Sequence, residues 1–192
     1  MSPSAPSSPS FELLPGAADS PVILHVPHSA REIPADVRAD ILLDDPALER
    51  ELDHITDSHT ARIAAEAARA CAVTPWRFVN RLSRLVVDPE RFPDEREEML
   101  AVGMGAVYTR TTHHAELRPA DHDPEPLIDR YFRPYARAMA EAVADRLAAT
   151  GPEVPADRRE RGRPRPGGRR ARPDAGAPRG RAAVRHDLAP RR

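Results

Sequence analysis

The sequence predicts an α/β fold, and three observations carry that expectation. Val22, Ile23, Leu24 and Val26 form an apolar run between Pro21 and Pro27, which reads as a strand buried on both faces of a parallel sheet. A long amphipathic pattern runs from Asp44 to about Ala72, and a second β-prone stretch, Val73 to Val79, follows it. Strand, long helix, strand is the succession of a βαβ unit rather than of a helical bundle.

Each element has a local reason. Residues 1–10 are rich in Ser and Pro and cannot bury enough side chain to order themselves, so a disordered leader is expected there. Phe11, Leu13 and Leu14 begin a folded part extending over 11–150. Beyond the first strand, Ile33 to Leu43 reads as loop with one helical turn. Asp44-Asp45-Pro46 opens a helix, because acids suit the positive end of its dipole and a proline there forfeits no hydrogen bond. Leu48, Leu52, Ile55, His59, Ile63 and Ala67 then keep a spacing near four, with Thr56 the point at which the helix could break.

Leu82 to Val87, with β-branched Val86 and Val87, is a third strand candidate. Phe92-Pro93-Asp94 opens an irregular loop to Gly105, Val107 to Arg110 reads as an extended piece, and His113, His114 and His122 lie in polar loop. Asp123-Pro124-Glu125-Pro126 caps a last helix, whose apolar positions from Leu127 and Ile128 to Val143 and Leu147 recur at three and four. It should pack one face on the sheet and stop near Gly151. Residues 151–192 are Arg, Pro, Gly and Ala with hardly a bulky apolar side chain, so a disordered tail is expected.

Bulk properties exclude several function classes. The net charge is -1 and every one of the 29 basic residues is arginine, thirteen of them after Thr150 against five acids. A basic tail on an acidic body argues against a whole-chain polyanion binder. Phosphate contact by the tail would be non-specific, since it has no interleaved aromatics. Cys71 is the only cysteine, which rules out an internal disulfide framework and suits a reducing, cytoplasmic setting. The leader lacks the charged and apolar regions of a secretory signal, and no apolar run approaches the roughly 18 residues of a membrane span.

Chemistry is expected at the carboxyl edge of the sheet, where open α/β folds bind ligands, and hence at His28 and Ser29. The plain alternative is a core strand ending in a turn. Asp53 and Asp57, spaced four apart on the next helix, could bring a carboxylate to His28, giving two of the three protein ligands of a catalytic zinc. Charged helix faces are, however, ordinarily just solvated. Arg84, Asp88 and Arg91 at a strand end could hold an acidic substrate bidentately while Asp88 orients an arginine. Otherwise they are a surface ion-pair ladder, under about 1 kcal/mol per pair. His113 and His114 read as solvated.

With these residues placed, the chain resembles the N-formylglutamate amidohydrolase family. The likeness rests on Val26-Pro27-His28-Ser29 with Ile33-Pro34, on Asp53-His54-Ile55-Thr56-Asp57, on Arg84-Leu85-Val86-Val87-Asp88-Pro89-Glu90-Arg91-Phe92-Pro93, and on Gly103-Met104-Gly105-Ala106-Val107-Tyr108-Thr109-Arg110. It covers roughly Val22 to Thr150. The resemblance implies a zinc-exopeptidase-like mixed sheet with flanking helices, shared with zinc carboxypeptidases and aspartoacylases and here incomplete at the C-terminal end. It also implies a zinc-dependent hydrolase that cleaves N-formyl-L-glutamate to formate and L-glutamate in histidine degradation.

Carried over by position, His28 and Asp57 would ligate one zinc ion, with Asp53 the second choice for the carboxylate. Arg84 would stabilise the developing oxyanion. Arg91 would grip a substrate carboxylate, with Asp88, Arg81 and Ser29 as further substrate-binding residues. The partner would be a small acyl-amino acid, with no membrane and no specific nucleic acid.

Three departures stand out. Ala30 replaces a glycine, and Glu90 replaces the asparagine of the wider superfamily. The family's later Asp-x-His-Ser block, which supplies the remaining histidine ligand, and its general-base glutamate are not found in the sequence. The expectation is therefore an amino-terminal portion of the enzyme followed by a frameshifted or unrelated tail, weakly active or inactive. A non-catalytic remnant that binds small dicarboxylates is the alternative, and a basic-tailed nucleic-acid binder the next.

Overall fold

The computed structural model describes residues 10–151. The expected leader and Arg/Pro/Gly-rich tail, and any nucleic-acid contact by that tail, therefore lie outside the described residues but for Ser10 and Gly151. The order of elements is β1 (Phe11–Leu14), β2 (Ile23–Val26), α1 (Ala35–Ala39), α2 (Asp45–Ile55), α3 (Thr60–Ala70), β3 (Trp76–Asn80), a 3₁₀ turn (Glu98–Val102), α4 (Glu125–Leu127), a π turn (Ile128–Phe132) and α5 (Arg133–Thr150).

The α/β class holds, and the sheet is mixed, as the resemblance implies, rather than the parallel sheet suggested by the apolar run before His28. Its order is β1-β3-β2, with β1 antiparallel to β3 (Phe11 opposite Asn80) and β2 parallel to it (Ile23 opposite Trp76). The central strand is thus β3, and β2 stands at an edge among the described residues. Only Val26 of β2 is buried, because α3 covers one face and Ile23 and Leu24 stay half-exposed. Ala61 and Ala64 of α3 meet Leu14, Leu24, Val26 and Val79, small side chains that let the helix lie close on the sheet.

The third expected strand does not form. Leu82–Val87 is buried, yet its backbone turns: the Val86 amide bonds to the Ser83 carbonyl at 2.9 Å, and the side chains of Asn80 and Ser83 accept from the amides of Leu82 and Leu85. Local side-chain acceptors compete with a ladder in this way. Hydrophobicity here reports burial, not strand. Val86 and Val87 pack with Val37, Val107, Ile128 and Tyr131, while Leu85 packs with Leu52, Ile55 and Tyr108. Val107–Arg110 likewise makes only isolated bridges, Met104 to Tyr108 and Arg110 to Glu116.

The helix expected from Asp44 to Ala72 breaks at Thr56, whose backbone is extended at ψ 125°. Asp44 caps the start by accepting from the Ala47 amide at 2.8 Å. At the break, the Asp57 amide leaves the helical ladder and donates to the carbonyl of His28 at 2.9 Å.

The last helix contains a π turn where Pro134 cannot donate an amide, and the Arg133 amide reaches back to the Ile128 carbonyl instead. Tyr135 then packs edge-on against Phe78, ring centroids 4.9 Å apart, and Phe11 stacks on Phe78. Toward its end the apolar contacts thin out: Val143 and Leu147 are 43% and 63% exposed, while Ala142 stays buried and Arg146 lies over the Trp76 ring and donates to the Ala18 carbonyl at 3.0 Å. No helix among the described residues is long and apolar enough to cross a membrane.

Candidate functional site

The exit of β2, the turn after β3 and the segment carrying Tyr108 meet at one carboxylate. Asp88 has no exposed surface. Its Oδ1 accepts from Nε2 of His28 at 2.8 Å and from the Glu90 amide at 3.1 Å. Its Oδ2 accepts from Nε and Nη2 of Arg84, at 3.1 and 2.6 Å, and from the Tyr108 hydroxyl at 2.8 Å. Arg91 Nε lies 3.7 Å from the same oxygen.

Backbone bonds fix the supports. Asn80 of β3 donates its side-chain amide to the Pro27 carbonyl at 2.9 Å, and the Ser83 amide donates to Glu32 at 2.8 Å. The Asp88 amide donates to the Ala106 carbonyl at 2.7 Å. Three segments distant in sequence are thereby tied together without a strand at Leu82–Val87.

Burial alone would raise the Asp88 carboxyl's pKa. The His28 hydrogen bond and the Arg84 charge outweigh burial and hold the carboxyl well below the usual range. Tyr108 is pushed up to about 12, by burial first and then by the Asp88 charge. Asp88 is accordingly an anion and Tyr108 a neutral donor at any ordinary pH.

An ionised acceptor at Oδ1 places a proton of His28 on Nε2 and turns Nδ1 to the other side of the ring, away from Asp88. Nδ1 faces Asp57 Oδ2 at 3.7 Å and Glu90 Oε2 at 3.6 Å. Glu90 also approaches Nδ1 of His25 at 3.9 Å, and Nε2 of His25 meets the Tyr135 hydroxyl at 2.6 Å. Burial lowers the His25 pKa, against the raising effect of Glu90.

A histidine whose far nitrogen is locked by a carboxylate is the arrangement of a metal-ligating imidazole. Asp57 adds a second donor. Among the described residues, however, no group of three or more His, Cys, Asp or Glu side chains is placed to hold a metal. A catalytic zinc takes three protein ligands, so the described residues fit it only in part.

Of the residues singled out in the sequence, His28, Asp57, Arg84, Asp88 and Arg91 come together, and Asp53 and Arg81 are engaged elsewhere. Asp53 is held at the surface by Arg31 Nη1 at 2.7 Å, and Arg81 pairs with Glu12 across the β1–β3 edge. Arg31 takes Glu49 as well, so Asp53 is one half of a surface fork. Ser29 follows His28 in the chain and makes no side-chain hydrogen bond among the described residues. His113 and His114 are exposed as expected.

Glu90, Tyr108, His25 and Tyr135 join the site without being singled out by the sequence. Glu90 stands out there only as a departure, and it turns inward to both histidines rather than away. Tyr108 sits in a recognised block, and its spacing from Asp88 carries no signal. Both arginines keep a nitrogen for a ligand: Nη1 of Arg84 and Nη2 of Arg91 have no hydrogen-bond partner among the described residues, the latter side chain being braced by Glu97 at 3.3 Å.

A mixed α/β framework thus gathers an imidazole, carboxylates and two guanidinium groups beyond the ends of β2 and β3. The model of the N-formylglutamate amidohydrolase family matches residues 20–182, and the chain belongs to that family. The match runs past Thr150, beyond the span on which the sequence blocks rest. Among solved structures, the N-formylglutamate amidohydrolase of Ralstonia eutropha JMP134 is similar in fold, at a TM-score of 0.59 and 22% identity. The likeness covers 74% of this chain and 54% of that one, so the chain spans little more than half of that relative's length. No curated protein sequence matches the chain.

Proposed function

We propose that the chain acts as an amidohydrolase of the N-formylglutamate type, hydrolysing N-formyl-L-glutamate to formate and L-glutamate in histidine degradation, with a zinc ion held in part by His28 Nδ1 and Asp57. The observation that carries the reading is the convergence of His28, Arg84 and Tyr108 on buried Asp88, with Arg91 alongside. A zinc ion, when bound, supplies polarisation of the amide carbonyl.

Asp88 keeps the proton on Nε2 of His28 and holds the guanidinium plane of Arg84 by two bonds, so neither group reorients as substrate arrives. Nη1 of Arg84 then faces charge developing on the amide oxygen, an anion stabilised before it forms. Arg91, braced between Asp88 and Glu97, offers Nη2 to a substrate carboxylate. Glu90, half-exposed beside both histidines, repels a second carboxylate from that corner and so orders the substrate.

Formate release from N-formyl-L-glutamate, measured with and without added zinc, tests the proposal. Turnover that disappears in His28→Ala supports it, and metal analysis showing no zinc bound at equilibrium counts against the metal. Binding without turnover is the second reading, favoured by the lack of a third metal donor among the described residues. Calorimetry separates the two: heat of binding lost in Arg91→Ala, with no formate produced, assigns the chain to the second.

A further inference from the structure

We propose that Arg118 is the positioning residue of this site, clamping the Arg84–Asp88 turn to the Tyr108 segment and thereby holding His28 as the Nε2-protonated tautomer. The inference rests on the His28–Asp88 cluster being the reactive centre. Arg118 is 1% exposed. It donates Nη2 to the Leu85 carbonyl at 2.6 Å and Nη1 to the Tyr108 carbonyl at 2.7 Å.

Leu85 adjoins Arg84, and Tyr108 is the residue whose hydroxyl meets Asp88. One planar guanidinium therefore spans the two backbones that carry three of the four partners of the hub. It does so where the sequence suggests a third strand and none forms. Between these segments a ladder would supply the hydrogen bonds; here a side chain supplies two of them, at the fixed spacing of its fork.

A merely structural role would be met at lower cost. No carboxylate among the described residues lies within ion-pair distance of Arg118, and its Nε has no hydrogen-bond partner. Burial pushes its pKa down, to about 10, with only the more distant Asp40 opposing. An unpaired buried cation is expensive, and an apolar side chain of the same volume would pack the same space more cheaply. What the guanidinium adds is geometry, a defined separation between Leu85 and Tyr108, on which the placement of Asp88 under His28 depends.

The test reads the His28 ring nitrogens by long-range proton–nitrogen NMR in the full chain, which needs neither turnover nor zinc. The unmodified chain should show His28 as a single Nε2–H tautomer. Arg118→Met, which keeps the stem and removes both donors, should give a mixture of tautomers and at least a tenfold weaker affinity for N-formyl-L-glutamate. Arg118→Gln, which restores one donor, should lie between. A melting temperature that falls while the His28 signals stay unchanged overturns the proposal. Should neither variant fold, the Nη protons of Arg118 in the unmodified chain decide: slow rotation and slow exchange support the clamp, and a freely rotating guanidinium overturns it. A tautomer shift with no effect on formate release would leave the clamp intact and count against the hydrolase reading alone.

Discussion

Asp88 accepts from donors on both oxygens and has no exposed surface, so its amide analogue is the most informative single substitution. In Asp88→Asn one side of the group becomes an N–H, turned either toward His28 and the Glu90 amide or toward Arg84 and Tyr108. Either orientation sets donor against donor and leaves Arg84 without its anion. The expected loss is about 3 kcal/mol, the scale for breaking a buried pair from one side. Urea denaturation of the two proteins measures it. Tyr108→Phe removes one hydrogen bond to a charged acceptor and should cost about 1.5 kcal/mol by the same measurement.

His28, Arg84, Asp88 and Arg91 are legible in the sequence because a strand exit and a cluster of arginines are visible without coordinates. The choice of Asp57 over Asp53 comes there from the resemblance and not from the spacing. Four apart on one unbroken helix, they would share a face. The break at Thr56 sends Asp57 to the His28 backbone and leaves Asp53 to Arg31.

At the level of elements, Leu82–Val87 suggests a strand that does not form, because β-branched residues buried in a turn look like those buried in a strand. β1 shows in the sequence only as the start of folded chain, its four residues being too short for periodicity to reveal a strand. The strand also needs a close crossing to reach its partner. A Cβ on Gly16 would stand 2.5 Å from the Pro75 carbonyl carbon and the Thr74 carbonyl oxygen, backbone atoms that cannot swing aside. Next to it, the Ala17 amide donates to the Thr74 carbonyl at 2.8 Å, and the indole of Trp76 donates to the Ala17 carbonyl at 3.1 Å. Gly16→Ala should therefore separate the β1–β2 connection from the approach to β3, at about 1 to 3 kcal/mol. Differential scanning calorimetry should show a clear fall in melting temperature, whereas Ala30→Gly, at a half-exposed loop position, should move it little.

Across the whole molecule, the pH range of stability follows from groups whose protonation is fixed by the fold. Tyr108 is raised from 10.0 to about 12 by burial and by Asp88, so the folded state keeps its proton where the unfolded chain loses it. Its contribution is complete below about pH 10 and is lost as pH rises toward 12. At about 1.4 kcal/mol for each pH unit between those two values, the loss comes to about 3 kcal/mol. Asp88 works in the opposite direction. Its lowered pKa makes the folded state bind fewer protons than the unfolded chain, so its contribution is complete above about pH 4 and declines as pH falls below that. His25, lowered chiefly by burial, begins a smaller decline below about pH 6.5. Stability measured by urea should therefore plateau on the alkaline side of neutral and fall at both ends. The variants identify the limbs: Tyr108→Phe should make the decline between pH 10 and 12 shallower, leaving the part due to Tyr135 and Tyr131, which burial also raises, and Asp88→Asn should make the one below pH 4 shallower, each from a lower plateau. An alkaline limb of the same steepness in Tyr108→Phe would mean that the phenol is not the group held neutral beside Asp88, and the hub would lose its fourth partner.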